Sequence, residues 1–136
     1  ETAQTGHLVF ATLHTSTAVG SIERIIGLFA PEQQQQARQT LAAVFKGCIS
    51  QTLLPRIGGG RVGAFEVLVG DYTVSNLIRE MKTAQIRSHM ETNRRSGNQL
   101  LNHELIQLVQ QGRVTAEDAR RRAVDKSDFD NRKKRL

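Results

Sequence analysis

Residues 5–15 read Thr5-Gly6-His7-Leu8-Val9-Phe10-Ala11-Thr12-Leu13-His14-Thr15, and the run from His7 to His14 decides the fold class. A short, nearly continuous apolar stretch with β-branched and aromatic members is the pattern of a buried strand. Such a strand suits a parallel sheet covered on both faces. Thr15, Ser16 and Thr17 follow as candidate helix N-caps. Ile22, Ile25, Ile26 and Phe29 then recur at the spacing of one amphipathic helix stripe. A strand running into a capped helix opens an α/β arrangement.

Working outward, Pro31 suits the first residue of a second helix, with Leu41, Val44, Phe45 and Cys48 as its buried stripe. Gln33 to Gln36 read as a solvated helix face. Ile49–Ile57 and Arg61–Val69 are strand-like runs around Gly58-Gly59-Gly60, which predicts a β-hairpin. Pro55 puts the first of them at an edge or ends it early. Three helical stripes follow: Val74, Leu77, Ile78 and Met81; Ile86, His89, Met90 and Asn93; Leu101, Leu105, Leu108 and Val109. Arg94 to Gln99 is a connection, Gly112 stops the third helix, and Thr115-Ala116-Glu117-Asp118 starts a final one.

At 136 residues, one domain is expected. Aromatic residues make up 4% and there is no Trp, which argues against a stacking platform for single-stranded nucleic acid. The single cysteine, Cys48, excludes an intramolecular disulfide and fits a reducing compartment. No apolar run approaches the roughly 20 residues that span a bilayer. The net charge of +6 is uneven: residues 120–136 hold eight basic side chains against Asp125, Asp128 and Asp130, a net of +5, leaving +1 for the rest. A phosphate-tracking fold carries its charge on a folded face. Here it sits in a terminal stretch that reads as a disordered tail, so no nucleic-acid partner is expected.

Candidate chemistry centres on histidine. His7 and His14 lie seven residues apart, roughly 20 Å along a strand and on opposite faces, so they cannot share a metal ion within one subunit. His14 stands where the strand ends and the Thr/Ser cluster begins. Ligands of open α/β sheets bind outside the carboxyl ends of strands, and a histidine there can donate to phosphate oxygens. A histidine simply satisfied at a strand end is the competing reading. His89 and His103 fall on helix surfaces. Gly58-Gly59-Gly60-Arg61-Val62-Gly63 is no phosphate loop, because neither Lys-Ser nor Lys-Thr follows and a strand comes next. Glu66, the acid inside a strand, reads as a partner for a nearby arginine, and no metal-ligand spacing stands out.

The stretch Thr5–Thr15 closely resembles the histidine box of the secretion and pilus ATPase superfamily. The order continues through Ile22-Glu23-Arg24-Ile25-Ile26, Phe29-Ala30-Pro31-Glu32, Ile49-Ser50-Gln51-Thr52-Leu53 and Gly58-Gly59-Gly60-Arg61-Val62. Asn76-Leu77-Ile78-Arg79-Glu80 matches the last five positions of the Ala-Ile-Arg-Asn-Leu-Ile-Arg-Glu signature of type IV pilus retraction motors. The resemblance runs from the start to about residue 124. The extension and secretion branches carry a four-cysteine zinc module after the Ser-Gln-Thr-Leu region. Here Leu54-Pro55-Arg56-Ile57 runs straight into the hairpin, which favours the retraction branch.

The resemblance implies the C-terminal portion of a RecA-like P-loop ATPase domain over residues 1–70. An all-helical region then covers 71–124 and the basic tail 125–136. It further implies a homo-hexameric motor that couples ATP hydrolysis to pilus retraction and twitching motility. Such a motor would be cytoplasmic, peripheral to the inner membrane, where the platform protein of the pilus machinery is its partner. His14 becomes the catalytic histidine reaching toward the γ-phosphate, with Thr12 and Thr15 beside the nucleotide and His7 as the second box histidine, at a subunit contact. Asn76, Leu77, Ile78, Arg79 and Glu80 would serve motor coupling. The family's Walker A and Walker B motifs lie upstream of the histidine box, so the chain is expected to begin partway through the catalytic domain. ATP and Mg2+ are then cofactors of the parent and not of this chain alone. A non-enzymatic α/β-helical adaptor for protein binding is the competing class.

Overall fold

The hairpin forms as the glycines and β-branched runs predict. In the computed structural model, which describes residues 2–135, β1 (Gly47–Pro55) and β2 (Arg61–Val69) pair antiparallel. The turn passes through Gly58, Gly59 and Gly60 at φ +90°, +110° and +76°, a conformation that costs glycine nothing. Pro55 is the last residue of β1. Alternation turns Ser50, Leu54, Val62, Ala64, Glu66 and Leu68 inward and leaves Ile49 and Phe65 on the outer face.

Among the described residues seven α-helices accompany it: α1 (Ala18–Ile26), α2 (Gln34–Val44), α3 (Tyr72–Arg79), α4 (Ile86–Thr92), α5 (Leu101–Gln110), α6 (Ala116–Arg122) and α7 (Lys126–Lys133). Pro31 opens a short 3-10 turn leading into α2. The apolar stripes meet in two buried clusters. One joins Ile22 and Ile26 of α1 to Leu68, Val74, Ile78, Ile86 and Met90. The other joins Leu54 and Val62 of the hairpin to Leu101, Leu105, Leu108 and Phe129. Each fully buried Leu, Ile or Phe contributes about 1.5–3 kcal/mol, so these clusters hold the helices on the hairpin. The hairpin contributes to both.

Several expectations are corrected. Residues 7–14 form no strand: the described sheet has two strands, β1 and β2, and Leu8 and Phe10 are 72% and 89% exposed. The sequence is that of a covered strand, but among the described residues no strand pairs with it. Phe29 and Met81 extend their stripes on paper only. α1 ends at Ile26 before Gly27, and Met81, at φ +61° just beyond α3, turns its side chain to solvent. Cys48 lies in β1 and not on α2, because Phe45 swings to ψ 122° and ends that helix. It still packs against the first cluster.

The terminal stretch is corrected too. α7 occupies residues expected to fray, with Asp125 as N-cap accepting from the Asp128 amide at 2.9 Å. Phe129 is fully buried. Asn102, itself buried, donates to the Asp125 carbonyl and the Asp128 carboxylate and accepts from the Val124 amide. The basic side chains are partly spoken for: Arg120 pairs with Asp130, Arg121 with Glu117, and Arg132 with Asp128 and Glu91.

Candidate functional site

The loop after His14 is fastened to the start of α1. Thr17 is the N-cap, its Oγ1 accepting from the Gly20 amide at 3.1 Å. The Ser21 hydroxyl donates to the Thr17 carbonyl at 3.0 Å and bonds the Thr15 hydroxyl. Glycine at position 20 matters here, because a Cβ would lie 2.8 Å from Thr17 Oγ1. His14 and Thr12 are exposed, and among the described residues neither has a side-chain hydrogen-bond partner. His7, also exposed, bonds the Thr5 hydroxyl through Nδ1 at 3.1 Å. Of His7, Thr12, His14 and Thr15, Thr15 alone is half-buried and tied by a side chain to α1.

The inward acid of β2 does something the sequence reading missed. Glu66 has no arginine partner among the described residues. It accepts instead from the Ala18 amide at 2.8 Å and the Leu101 amide at 3.2 Å, the first residues of α1 and α5. Helix N-termini present unmet N–H groups and the positive end of the macrodipole, so a buried carboxylate is well placed between two of them.

The signature residues lie on α3 and just beyond it. Asp71 caps α3 by accepting from the Val74 amide at 2.8 Å, and its other oxygen meets His89 Nε2 at 2.6 Å. Burial opposes the charge on Asp71, but that amide and the imidazole hold its pKa below the usual value. Ile78 is fully buried and Leu77 half-buried, whereas Arg79 and Glu80 are exposed. Arg79 Nη1 donates to Asn76 Oδ1 at 2.6 Å, and Lys82 pairs with Glu80 at 2.8 Å. No hydrogen bond or ion pair among the described residues joins the histidine box to this helix directly. Glu23 supplies the indirect tie: on α1, it pairs with Arg38 of α2 and accepts from Thr83 Oγ1, beyond α3, at 2.7 Å.

His89 and His103 are less superficial than their helix positions suggested, their side chains being 13% and 11% exposed. His103 meets Glu91 at 3.1 Å and also contacts Arg132; burial and the adjacent guanidinium push its pKa down. Among the described residues no three His, Cys, Asp or Glu side chains converge as a metal site. No helix in the described residues is long and apolar enough to cross a membrane.

The family model for the type II/IV secretion system protein matches residues 1–58. A type IV pilus retraction ATPase, PilT, of Pseudomonas aeruginosa is 42% identical over 127 residues, covering 93% of this chain and 37% of that protein. A twitching motility protein of Neisseria gonorrhoeae is 43% identical over 122 residues, covering 89% of this chain and 33% of that protein. The chain thus spans about a third of the length of these relatives. The crystal structure of the pilus retraction motor PilT with bound ADP matches with a TM-score of 0.83 and 44% identity, over 94% of this chain and 36% of that one. The two-stranded sheet and the helices that follow it match the C-terminal part of that fold.

Proposed function

The chain is a homologue of the type IV pilus retraction ATPases over most of its length, and on that premise we propose that it works as the C-terminal part of a homo-hexameric motor driving pilus retraction by ATP hydrolysis. The observation that carries this is the fold match to a retraction motor at 44% identity over 94% of this chain, beside the sequence resemblance of the histidine box and the α3 signature. When bound, ATP with Mg2+ supplies the phosphoryl group and its charge neutralisation. The contributions of this chain are positional. His14, exposed and uncommitted, donates to a γ-phosphate oxygen. Thr15, tied to α1 through Ser21, holds the loop that carries it, and Thr12 lines its approach. His7 serves a subunit contact. Asn76 to Glu80 couple the motor to the platform protein, at the cytoplasmic side of the inner membrane.

The test is genetic and enzymatic together. Deleting the gene should abolish twitching while pili accumulate, and the protein extended upstream to its encoded start should release phosphate from ATP only with Mg2+. A complete protein that binds pilus components but never turns over ATP would be the adaptor instead.

A further inference from the structure

Glu66 is 6% exposed and its carboxylate meets two backbone amides from distant parts of the chain. One is Ala18, the first residue of α1, four positions after His14. The other is Leu101, the first residue of α5, whose N-cap Leu100 has no side chain able to cap. A carboxylate offers two acceptor oxygens, one for each helix. The same group therefore completes the start of the helix behind the histidine box and the start of a helix in the C-terminal region.

We propose that Glu66 is a positioning residue for nucleotide turnover: by clamping the first turn of α1 to β2 and α5, it holds the loop that carries His14 in place. The inference rests on the role proposed above for His14. Displacement of a catalytic group by about 1 Å can cost on the order of a hundredfold in rate, so a loosened α1 start should show in turnover. Glutamine is nearly the same size but has one acceptor oxygen, and its NH2 would face an amide donor. Glu66→Gln must release one helix start.

In the complete protein, Glu66→Gln should lower kcat for ATP about tenfold with KM within about twofold. Glu66→Gln combined with His14→Ala should be no slower than His14→Ala alone, because the clamp acts through His14. Wild-type kcat in Glu66→Gln, or losses that multiply in the double variant, would overturn the proposal while leaving the ATPase reading standing. Wild-type turnover in His14→Ala would remove the premise and the proposal with it. Should Glu66→Gln fail to fold by circular dichroism, Ala18→Pro removes the α1 donor alone. Thr17, at φ −137° and ψ 153°, already has the backbone that a residue before proline prefers. Folded Ala18→Pro should show the same kcat loss, and wild-type turnover in it would overturn the clamp.

Discussion

Arg38 and Glu23 form a two-pronged ion pair, Nη1 to Oε1 at 3.1 Å and Nη2 to Oε2 at 3.0 Å, that binds α2 to α1. The Arg38 side chain is 9% exposed against 41% for Glu23, so the cation is the partner that cannot be left alone. Glu23→Gln should therefore destabilise by about 2 kcal/mol, below the roughly 3–5 kcal/mol of a wholly buried pair because Glu23 keeps solvent contact. The hydrogen bond from Arg38, despite partial burial and aided by Thr83, holds the Glu23 pKa below its ordinary 4.5. A folded pKa below the unfolded one gives stability that is present above pH 4.5 and lost as pH falls through the folded value. Urea midpoints of wild type and Glu23→Gln should differ at pH 7, and the gap should narrow as pH falls below 4.5. A constant gap would mean that Glu23 ionisation is not what stabilises.

The C-terminal helix is a second target. Phe129 is fully buried in the cluster that holds α5 and α6 to the hairpin. Phe129→Ala should cost about 3–5 kcal/mol by urea denaturation. Lys133 and Lys134 are exposed at the end of the same helix, and Lys133→Gln with Lys134→Gln should stay within about 0.5 kcal/mol. A Phe129→Ala loss under 1 kcal/mol would restore the view of residues 125–136 as a tail.

These two cases show what the sequence could and could not disclose. The hairpin was legible because three glycines interrupt two β-branched runs, and the helices because Ile22, Ile26, Val74, Ile78, Leu101 and Leu105 keep strict spacing. Helix ends were harder: stripe counting ran through Gly27 to Phe29 and past Arg79 to Met81, where backbone geometry stops the helix. α7 was hidden because charge dominates residues 120–136, although Asp125, Asp128 and Phe129 carried a cap-and-anchor signal. The partners of Glu66 are backbone amides 48 and 35 residues away, and no residue type announces them. The histidine box was legible as a motif, but the pattern of a buried strand did not announce that Leu8, Val9 and Phe10 stand exposed among the described residues.

His14 separates chemistry from structure cleanly. It is exposed and has no side-chain partner among the described residues, so His14→Ala should leave the melting temperature unchanged. In the complete protein the same substitution should lower kcat at least about tenfold with hexamers intact, one charge-assisted contact in a transition state being worth roughly 1–3 kcal/mol. Wild-type turnover would leave His14 an ordinary surface histidine.

The 136-residue chain alone should not hydrolyse ATP. Its sequence contains no Gly-x-x-x-x-Gly-Lys-Ser/Thr, and its glycine triplet is a hairpin turn with a strand, not a helix N-terminus, after it. Phosphate release above a no-protein control, abolished by EDTA, would show a phosphate site that the motif reading misses.

The α3 signature has a buried side and an exposed one, and they should fail differently. Ile78 is fully buried beside Val74 in the first cluster, so Ile78→Ala should cost about 2–5 kcal/mol. Leu77 is half-buried, and Leu77→Ala should cost less, about 1–2 kcal/mol. On the other side Arg79 is exposed and bonds Asn76 within the same turn, a contact of the kind worth about 0.2–0.5 kcal/mol. Asn76→Ala with Arg79→Ala should therefore leave melting temperature and basal ATP turnover nearly unchanged. If these polar groups transmit motion to the pilus machinery, the double variant should nonetheless lose twitching on agar. Normal twitching with normal ATP turnover would reduce α3 to a packing helix whose polar side merely faces water. Lost twitching together with lost turnover would place Asn76 and Arg79 in hydrolysis itself and not downstream of it.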